Sequence, residues 1–485
     1  MDCEQHAGYF QRLEKCEYCQ PGEPGHGFDG YMNASLFDEQ IFKLAPEIQD
    51  LAEAGQPNTP IEANADGPSG VAQGATGAFK NPIHIASPVR ISIREHLLKT
   101  QSQHPNKLFL ITGALATRIL TRGKRAIGIE FMQNTRPHRP DNNLYEADKR
   151  YDPSIKPKTF KLYAKKAVVL SAGVYNTPQL MKLSGIGPKE ELEAHGIKVV
   201  LDLPGVGENL QDRYEISVNA QLNAPLNLYK ECTPSDPSHD PCLQAWATGQ
   251  GLGGTFPFYG PYANNAAYSG RIEKSDPNRK LPDLFLVGLA TAFNGYVPGF
   301  SLMPFGQTWT WLILKAHTNN TKGTVTLKSA NPRQMPEIQF NYFEEGGDED
   351  LQAVVKGIKD ARSFLDKPEA KQHVAQETRP GSSIQTDAEI TQYIRKEAWG
   401  HHASCTAKIG ADDDPMAVLD SRFRVRGMES LRVADACVFP RIPGFFPVAA
   451  IMMIGEKAAD VIIEDAEDDE DRENESEYEA NHDHG

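Results

Sequence analysis

Two stretches near the end of the chain decide how it reads: GHHASCTAKIG (Gly400–Gly410) and SLRVADACVFPRIPGFFPVAAIMMIGEKAADVII (Ser430–Ile463). The first puts a histidine pair on a loop. The second is a short apolar strand ending in Asp435, a Pro/Gly turn and a long apolar helix. Strand, turn and helix N-terminus in that order hold a nucleotide cofactor beyond the carboxyl end of a strand, and a nearby imidazole is the commonest proton acceptor for chemistry there.

Upstream, AKKAVVLSAGVYNTPQLMKLSGIGPKEELEAHGIKVVLDLPGVGENLQD (Ala164–Asp212) supplies the matching half. Ala167–Leu170 is a continuous apolar run, as expected of a strand buried on both faces. It ends in Ser171-Ala172-Gly173 ahead of a helix predicted to begin near Thr177-Pro178. Further back, VRISIREHLLKTQSQ (Val89–Gln103) predicts a helix. NKLFLITGA (Asn106–Ala114) and LATRILTRGKRAIGIEF (Leu115–Phe131) predict alternating strands with a turn at Gly123-Lys124. Thr135–Pro157 reads as an exposed charged loop, and Phe37–Ala54 carries a helical pattern.

Residues from about 216 to 385 are a different text, aromatic and rich in glycine and proline. LPDLFLVGLA (Leu281–Ala290) and TWTWLILKAHT (Thr308–Thr318) predict strands. KGTVTLKSANPRQMPEIQFNYF (Lys322–Phe343) predicts two strands about an Asn-Pro turn, and Glu349–Leu365 has helical apolar spacing. The literal GxGxxG at Gly249–Gly254 lacks a preceding β-branched strand and a following helix, so it predicts a flexible loop and not a dinucleotide turn.

At 485 residues and 39% hydrophobic content the chain is globular. It has no run of roughly 18–20 apolar residues that would span a membrane. Nor does it open with a basic-then-apolar signal segment, so the sequence predicts a soluble protein. The net charge of −15 is local: Glu464–Gly485 holds twelve acids against one arginine, a block expected to be a solvated, disordered tail. No basic patch points to nucleic acid.

Seven cysteines lie at positions 3, 16, 19, 232, 242, 405 and 437. Cys3, Cys16 and Cys19 would give three thiolates for zinc, but no fourth ligand stands at the usual spacing, and no metal is assigned. Cys232 and Cys242 flank a Pro/Ser/Asp-rich loop; they would form a disulfide in an oxidising compartment and remain thiols in a reducing one. The compartment stays open, and the Asn-x-Ser/Thr sites at Asn33, Asn319 and Asn474 do not settle it.

SAGVYNTPQLMKLSGIGP (Ser171–Pro188), LPGVGENLQD (Leu203–Asp212), HHASCTAKIG, LRVADACVFPRIPG and IGEKAADVI, with YFQRLE and GHGFDG (Gly25–Gly30) near the start, together resemble the glucose-methanol-choline oxidoreductase family. The likeness runs in order along residues 25 to 463. It implies an α/β fold: a Rossmann-like FAD-binding domain interleaved with an antiparallel-sheet-plus-helix substrate domain. The expected boundaries are 1–215 for the FAD domain, 216–395 for the substrate domain, 396–463 for the return with the catalytic loop, and 464–485 for the tail.

The resemblance further implies an enzyme that binds FAD and oxidises a small-molecule alcohol to a carbonyl, passing hydride to flavin N5 while a histidine takes the hydroxyl proton. An imidazole with an ordinary pKa of about 6.5 suits that task at neutral pH. Aligned back from Lys408-Ile409-Gly410, the base falls on His402, with His401 as a neighbour in the substrate pocket. The cofactor positions carried over are Ala116 on the adenine side, Ser171, Ala172 and Gly173 at the strand–helix turn, Asp435 and Ala436 beside the ribose and pyrophosphate, and Pro447 and Val448 where the last helix meets the isoalloxazine. The electron acceptor is left open.

Two departures bear on this. The family usually pairs its histidine with a second His or Asn before the last helix; here that position is Phe446, which leaves a one-base mechanism. Either the substrate is apolar and packs on Phe446, or the chemistry is weakened or altered. The strand, GxGxxG turn and helix that open the family have no counterpart before Tyr9, so the sequence is expected to lack that N-terminal part. The alternative reading is accordingly a truncated or non-catalytic relative that binds a ligand without FAD turnover.

Overall fold

The computed structural model describes residues 3–36, 42, 45–55, 61–62, 74–80, 82–86, 89–133, 144–154, 156–227, 232–233, 236, 238–248, 270–296 and 305–482. The GxGxxG text at Gly249–Gly254, residues 37–41 and 43–44 of the Phe37–Ala54 pattern and the tip of the Thr135–Pro157 loop lie outside them, while the rest of the Phe37–Ala54 pattern holds the expected helix, Pro46–Glu53, which buries Ile48, Leu51 and Ala52. The chain divides into two compact units. One comprises Met1–Leu108, Arg213–Asn319 and Gly346–His401; the other comprises Phe109–Asp212, Asn320–Glu345 and His402–Gly485. This differs from the expected boundaries at 215, 395 and 463. The first hundred residues go with the large sheet because Gly77–Lys80 pairs with Gly270–Glu273, and Asn320–Glu345 returns to the other unit.

The first unit is built on a seven-stranded sheet. In spatial order its strands are Val374–Arg379, Tyr214–Leu222, Phe305–Lys315, Leu284–Thr291, Gly270–Glu273, Gly77–Lys80 and Ile61–Glu62. All pairs are antiparallel except the last, and Trp311 faces Val218 on one side and Gly288 on the other. Helix Gly347–Leu365 covers the sheet as its spacing predicts; a Cβ on Gly357 would come within 2.6 Å of Ile313, so glycine there sets the close approach.

The second unit holds a parallel pair, Val168–Leu170 beside Leu431–Val433, and an antiparallel meander of Ala114–Arg122, Arg125–Gln133 and Lys158–Tyr163. The Gly123-Lys124 turn is where it was expected, with Gly123 at φ +58°. NKLFLITGA forms no strand before Ala114, and Phe109, Leu110 and Ile111 are exposed; with no neighbouring strand among the described residues to take its backbone groups, the apolar pattern alone does not make a strand.

The helix after Val168–Leu170 starts at Gly173, earlier than predicted, and carries Pro178 inside it. Proline has no N–H to give the carbonyl four residues back, which is that of Val174. That carbonyl instead accepts from the Thr406 hydroxyl at 2.7 Å, so the histidine loop is latched to the helix at the place where proline opens it. Thr406→Val is expected to cost about 1–3 kcal/mol by orphaning this buried carbonyl. Pro178→Ala restores an intrahelical donor and should shrink that cost. Chemical denaturation of the four proteins in the cycle checks it, and equal costs in both backgrounds would disprove the latch.

The last helix, Val448–His482, runs through the acidic segment that was expected to be a disordered tail. Arg422 pairs with Glu464 (3.2 Å) and Asp465 (2.6 Å), and Arg432 also pairs with Asp465, so two cations neutralise the first acidic turn and let the helix continue. Cys16–Cys19 and Cys232–Cys242 are disulfides, while Cys405 and Cys437 are buried thiols.

Candidate active site

In the second unit, Val168–Leu170 and Leu431–Val433 run parallel and end side by side, and the segments leaving the two strand ends are bonded to each other. The Asp435 carboxylate accepts from Gly173 N–H (3.0 Å) and the Thr177 hydroxyl (2.6 Å) through Oδ2, and from Cys437 N–H (2.7 Å) through Oδ1. Ser171 Oγ donates to the Ala434 carbonyl at 2.9 Å. An anionic acceptor at the start of two helical segments is favourable for both. The Asp435 side chain is therefore spent on clipping the two strand ends together, and what this position offers a ligand is backbone.

Ser171 and Ala172 are exposed, Gly173 has φ +84°, and a Cβ added there would meet nothing within 4 Å. An open turn past the carboxyl ends of adjacent parallel strands suits the extended middle of a dinucleotide, so these residues fit FAD. The last helix begins nearby in sequence with Pro447 buried and Val448 47% exposed, and its first N–H groups lack intrahelical acceptors. Ala116 lies exposed on the meander strand that packs on helix Gly173–Leu183, where Ile119 N–H donates to Ser184 Oγ at 2.8 Å.

His402 is 7% exposed and sits edge-on to Phe446, with ring centres 5.3 Å apart. Its backbone N–H donates to Asp212 Oδ1 at 2.9 Å, and Asp212 Oδ2 accepts from the Tyr342 hydroxyl at 3.0 Å. Burial, and then the Asp212 charge, push the Tyr175 phenol up to about 12, so it stays neutral. The residues before Asp212 do similar work. Asn209, at φ +63°, donates through its amide to the carbonyls of Cys405 (3.2 Å) and Pro440 (3.3 Å). Gln211 donates to Pro440 O (3.1 Å) and accepts from Ile442 N–H (3.2 Å). One Asn-Leu-Gln-Asp run thus pins both the histidine loop and the segment leading to Phe446. Sequence reasoning gives that run no role; its cluster of amide and acid side chains straight after Pro-Gly-Val-Gly is the signal that could have found it.

Cys437, fully buried, has its thiol pushed well above the ordinary value, first by burial and then by Asp435. It lies 3.2 Å from Thr406 Oγ1, packing the back of the same latch as an inert thiol.

His401 belongs to the first unit. Its Nδ1 lies 3.0 Å from Oε1 of the buried Glu215, Trp399 stacks on it at 5.4 Å, and Tyr296 meets it edge-on at 4.8 Å. Glu215 is carried there by two backbone hydrogen bonds with Trp399 (2.8 and 3.1 Å). Neither Glu215 nor this aromatic wall was anticipated, because residues 215, 296 and 399 meet only through the sheet.

An exposed turn past two parallel strand ends, in a unit that also fixes a buried imidazole, has the geometry to serve a bound dinucleotide. The chain matches the N-terminal GMC oxidoreductase domain over residues 9–215 and the C-terminal one over 319–455. It is 31% identical over 464 residues to an oxygen-dependent choline dehydrogenase of Brucella anthropi, a match covering 94% of this chain and 74% of that protein. It is 30% identical over 461 residues to the enzyme of the same name from Staphylococcus haemolyticus, covering 94% and 72%. The fold is similar to formate oxidase (TM-score 0.77, 21% identity, 96% of this chain and 78% of that one) and to pyridoxine 4-oxidase from Mesorbium loti (TM-score 0.70, 19% identity, 94% and 76%). The protein belongs to the GMC oxidoreductase family and is an FAD-dependent oxidoreductase acting on CH–OH donors. No helix among the described residues is long and apolar enough to cross a membrane.

Proposed function

We propose that His402 is the base that takes the hydroxyl proton of a small alcohol whose carbon skeleton is apolar and packs against Phe446. The observation that carries this reading is the buried His402 ring held edge-on to Phe446, its backbone fixed by Asp212 on a loop latched through Thr406. FAD, when bound, supplies the acceptor for the electron pair leaving the carbinol carbon. The chain's own part is to bind and orient. The Ser171–Gly173 turn and the backbone at Asp435 and Ala436 hold the dinucleotide's middle, Ala116 borders its adenine end, and the N-terminus of the last helix at Pro447 and Val448 offers N–H groups to the isoalloxazine edge. His402 receives the proton at a ring nitrogen, and the surrounding burial excludes water.

The phenyl ring of Phe446 carries no hydrogen-bonding group, so no second side chain at that position steadies the developing alkoxide. Its 45% exposure gives an apolar face for the substrate instead. The relatives named as choline dehydrogenases support a small alcohol as the substrate class. Stopped-flow bleaching of the flavin under anaerobic conditions, across alcohols of graded polarity, tests the reading: apolar alcohols should reduce it fastest. Phe446→Asn should raise the rate with small polar alcohols by up to about 10²-fold, the scale of one added donor in an active site. Slower apolar alcohols with no gain for polar ones would remove Phe446 from the pocket.

A further inference from the structure

Well apart in sequence from the flavin machinery, residues 14–27 form a closed loop in the first unit. Cys16 N–H donates to the Gly27 carbonyl (2.8 Å), and Gly27 N–H donates to Glu14 Oε2 (2.9 Å). The loop brings the Cys16 and Cys19 sulfurs and a ring nitrogen of His26 within 4.8 Å of one another. Cys16 and His26 are buried and Cys19 partly so. His26 Nδ1 lies 3.1 Å from the Glu14 carboxylate, which fixes the tautomer bearing its hydrogen on Nδ1 and a lone pair on Nε2. A carboxylate behind a histidine is the arrangement that orients imidazole ligands and raises their basicity towards a metal. His26 stands seven residues beyond Cys19, outside the short ligand spacings that the sequence alone suggests.

We propose that Cys16, Cys19 and His26 are a redox-gated site for a thiophilic divalent cation, zinc above all, with Glu14 as the residue positioning His26. In the structure the two sulfurs are joined, and the disulfide and the metal exclude each other. A dithiol reductant gives two electrons and two protons to the disulfide, yielding two thiols and its own cyclic disulfide. Zn2+ then displaces both thiol protons to solvent and takes two thiolates and a neutral imidazole. Tetrahedral bonds of about 2.3 Å from zinc to each sulfur require the sulfurs about 3.8 Å apart, so metal binding needs the reduced pair to separate after the disulfide is broken. Two thiolates balance the dication among the direct ligands, which suits their burial, and the Glu14 carboxylate stands behind the imidazole.

The test uses the full chain, freed of reductant after treatment with dithiothreitol and titrated anaerobically with Co2+ as a spectroscopic stand-in for zinc, with zinc back-titration. The reduced wild type should develop thiolate-to-cobalt charge transfer and tetrahedral d–d bands that zinc bleaches, while the untreated disulfide form should show neither. Cys19→Ser and His26→Ala should lose the signal, and Glu14→Gln should weaken affinity about 10–100-fold. Cys242→Ser, which breaks the other disulfide, should leave it intact and shows that those thiols are not the source. A reduced chain that takes up no cobalt, or a signal that survives Cys19→Ser, overturns the site. The comparison of reduced with disulfide-bonded wild type decides the matter whether or not every variant folds.

Discussion

His402→Ala is expected to abolish alcohol-dependent flavin reduction while the flavin stays bound. Removing a positioned general base costs typically about 10²–10⁴ in rate, and with phenylalanine at position 446 no second base is available there to take over. The side chain is at the end of the contacts that place it: Asp212 accepts from the backbone N–H of residue 402, Asn209 donates to the Cys405 carbonyl, and the Thr406 hydroxyl donates to the Val174 carbonyl. Alanine leaves all of these in place, so flavin content and melting temperature should barely change. Single-turnover reduction at saturating alcohol separates the chemical step from binding. Reduction within a few-fold of wild type would remove His402 from the base role and turn attention to the His401–Glu215 pair of the other unit.

The second large effect concerns Asp435→Ala. The carboxylate accepts three hydrogen bonds from groups beyond the ends of both strands, two of them backbone N–H at the start of helical segments, and the residue is 6% exposed. Bonds to a charged acceptor contribute about 1.5–3 kcal/mol each, and removal strands the donors. Because the donors share one partner the losses are not additive, and a total of about 3–5 kcal/mol is expected. At roughly 2–4 °C per kcal/mol for a unit of this size, the melting temperature should fall by about 10 °C, with FAD released because Gly173 and Ala436 no longer hold their turn. Asp435→Asn keeps one carbonyl acceptor and should fall between. A drop under about 2 °C in the alanine variant, with flavin retained, would show that the clip is not what shapes the cofactor turn.

Much of this architecture could be read along the chain. The strands Leu284–Thr291 and Phe305–Lys315, the helix Gly347–Leu365 and the Gly123-Lys124 hairpin follow from period and turn chemistry, since each is decided by neighbours a few residues away. The NKLFLITGA run shows the limit, because an alternating apolar pattern states a preference and only a partner strand satisfies the backbone. Pro178 shows the opposite case. Local rules end or begin a helix there, and a hydroxyl supplied from residue 406 lets the helix continue through it.

By itself the sequence determined the family, the cofactor class and the position of the histidine loop, because ordered motifs and short-range periodicity survive without coordinates. Tertiary structure alone decided what the side chains are for: that Asp435 clips two strands, that Asp212 sets the His402 backbone, that His401 lies on Glu215, and that His26 reaches the Cys16–Cys19 pair. Each of these depends on groups brought together by the fold over distances along the chain at which no local pattern carries information. Hydrogen bonds and coordination act only across a few ångströms of space.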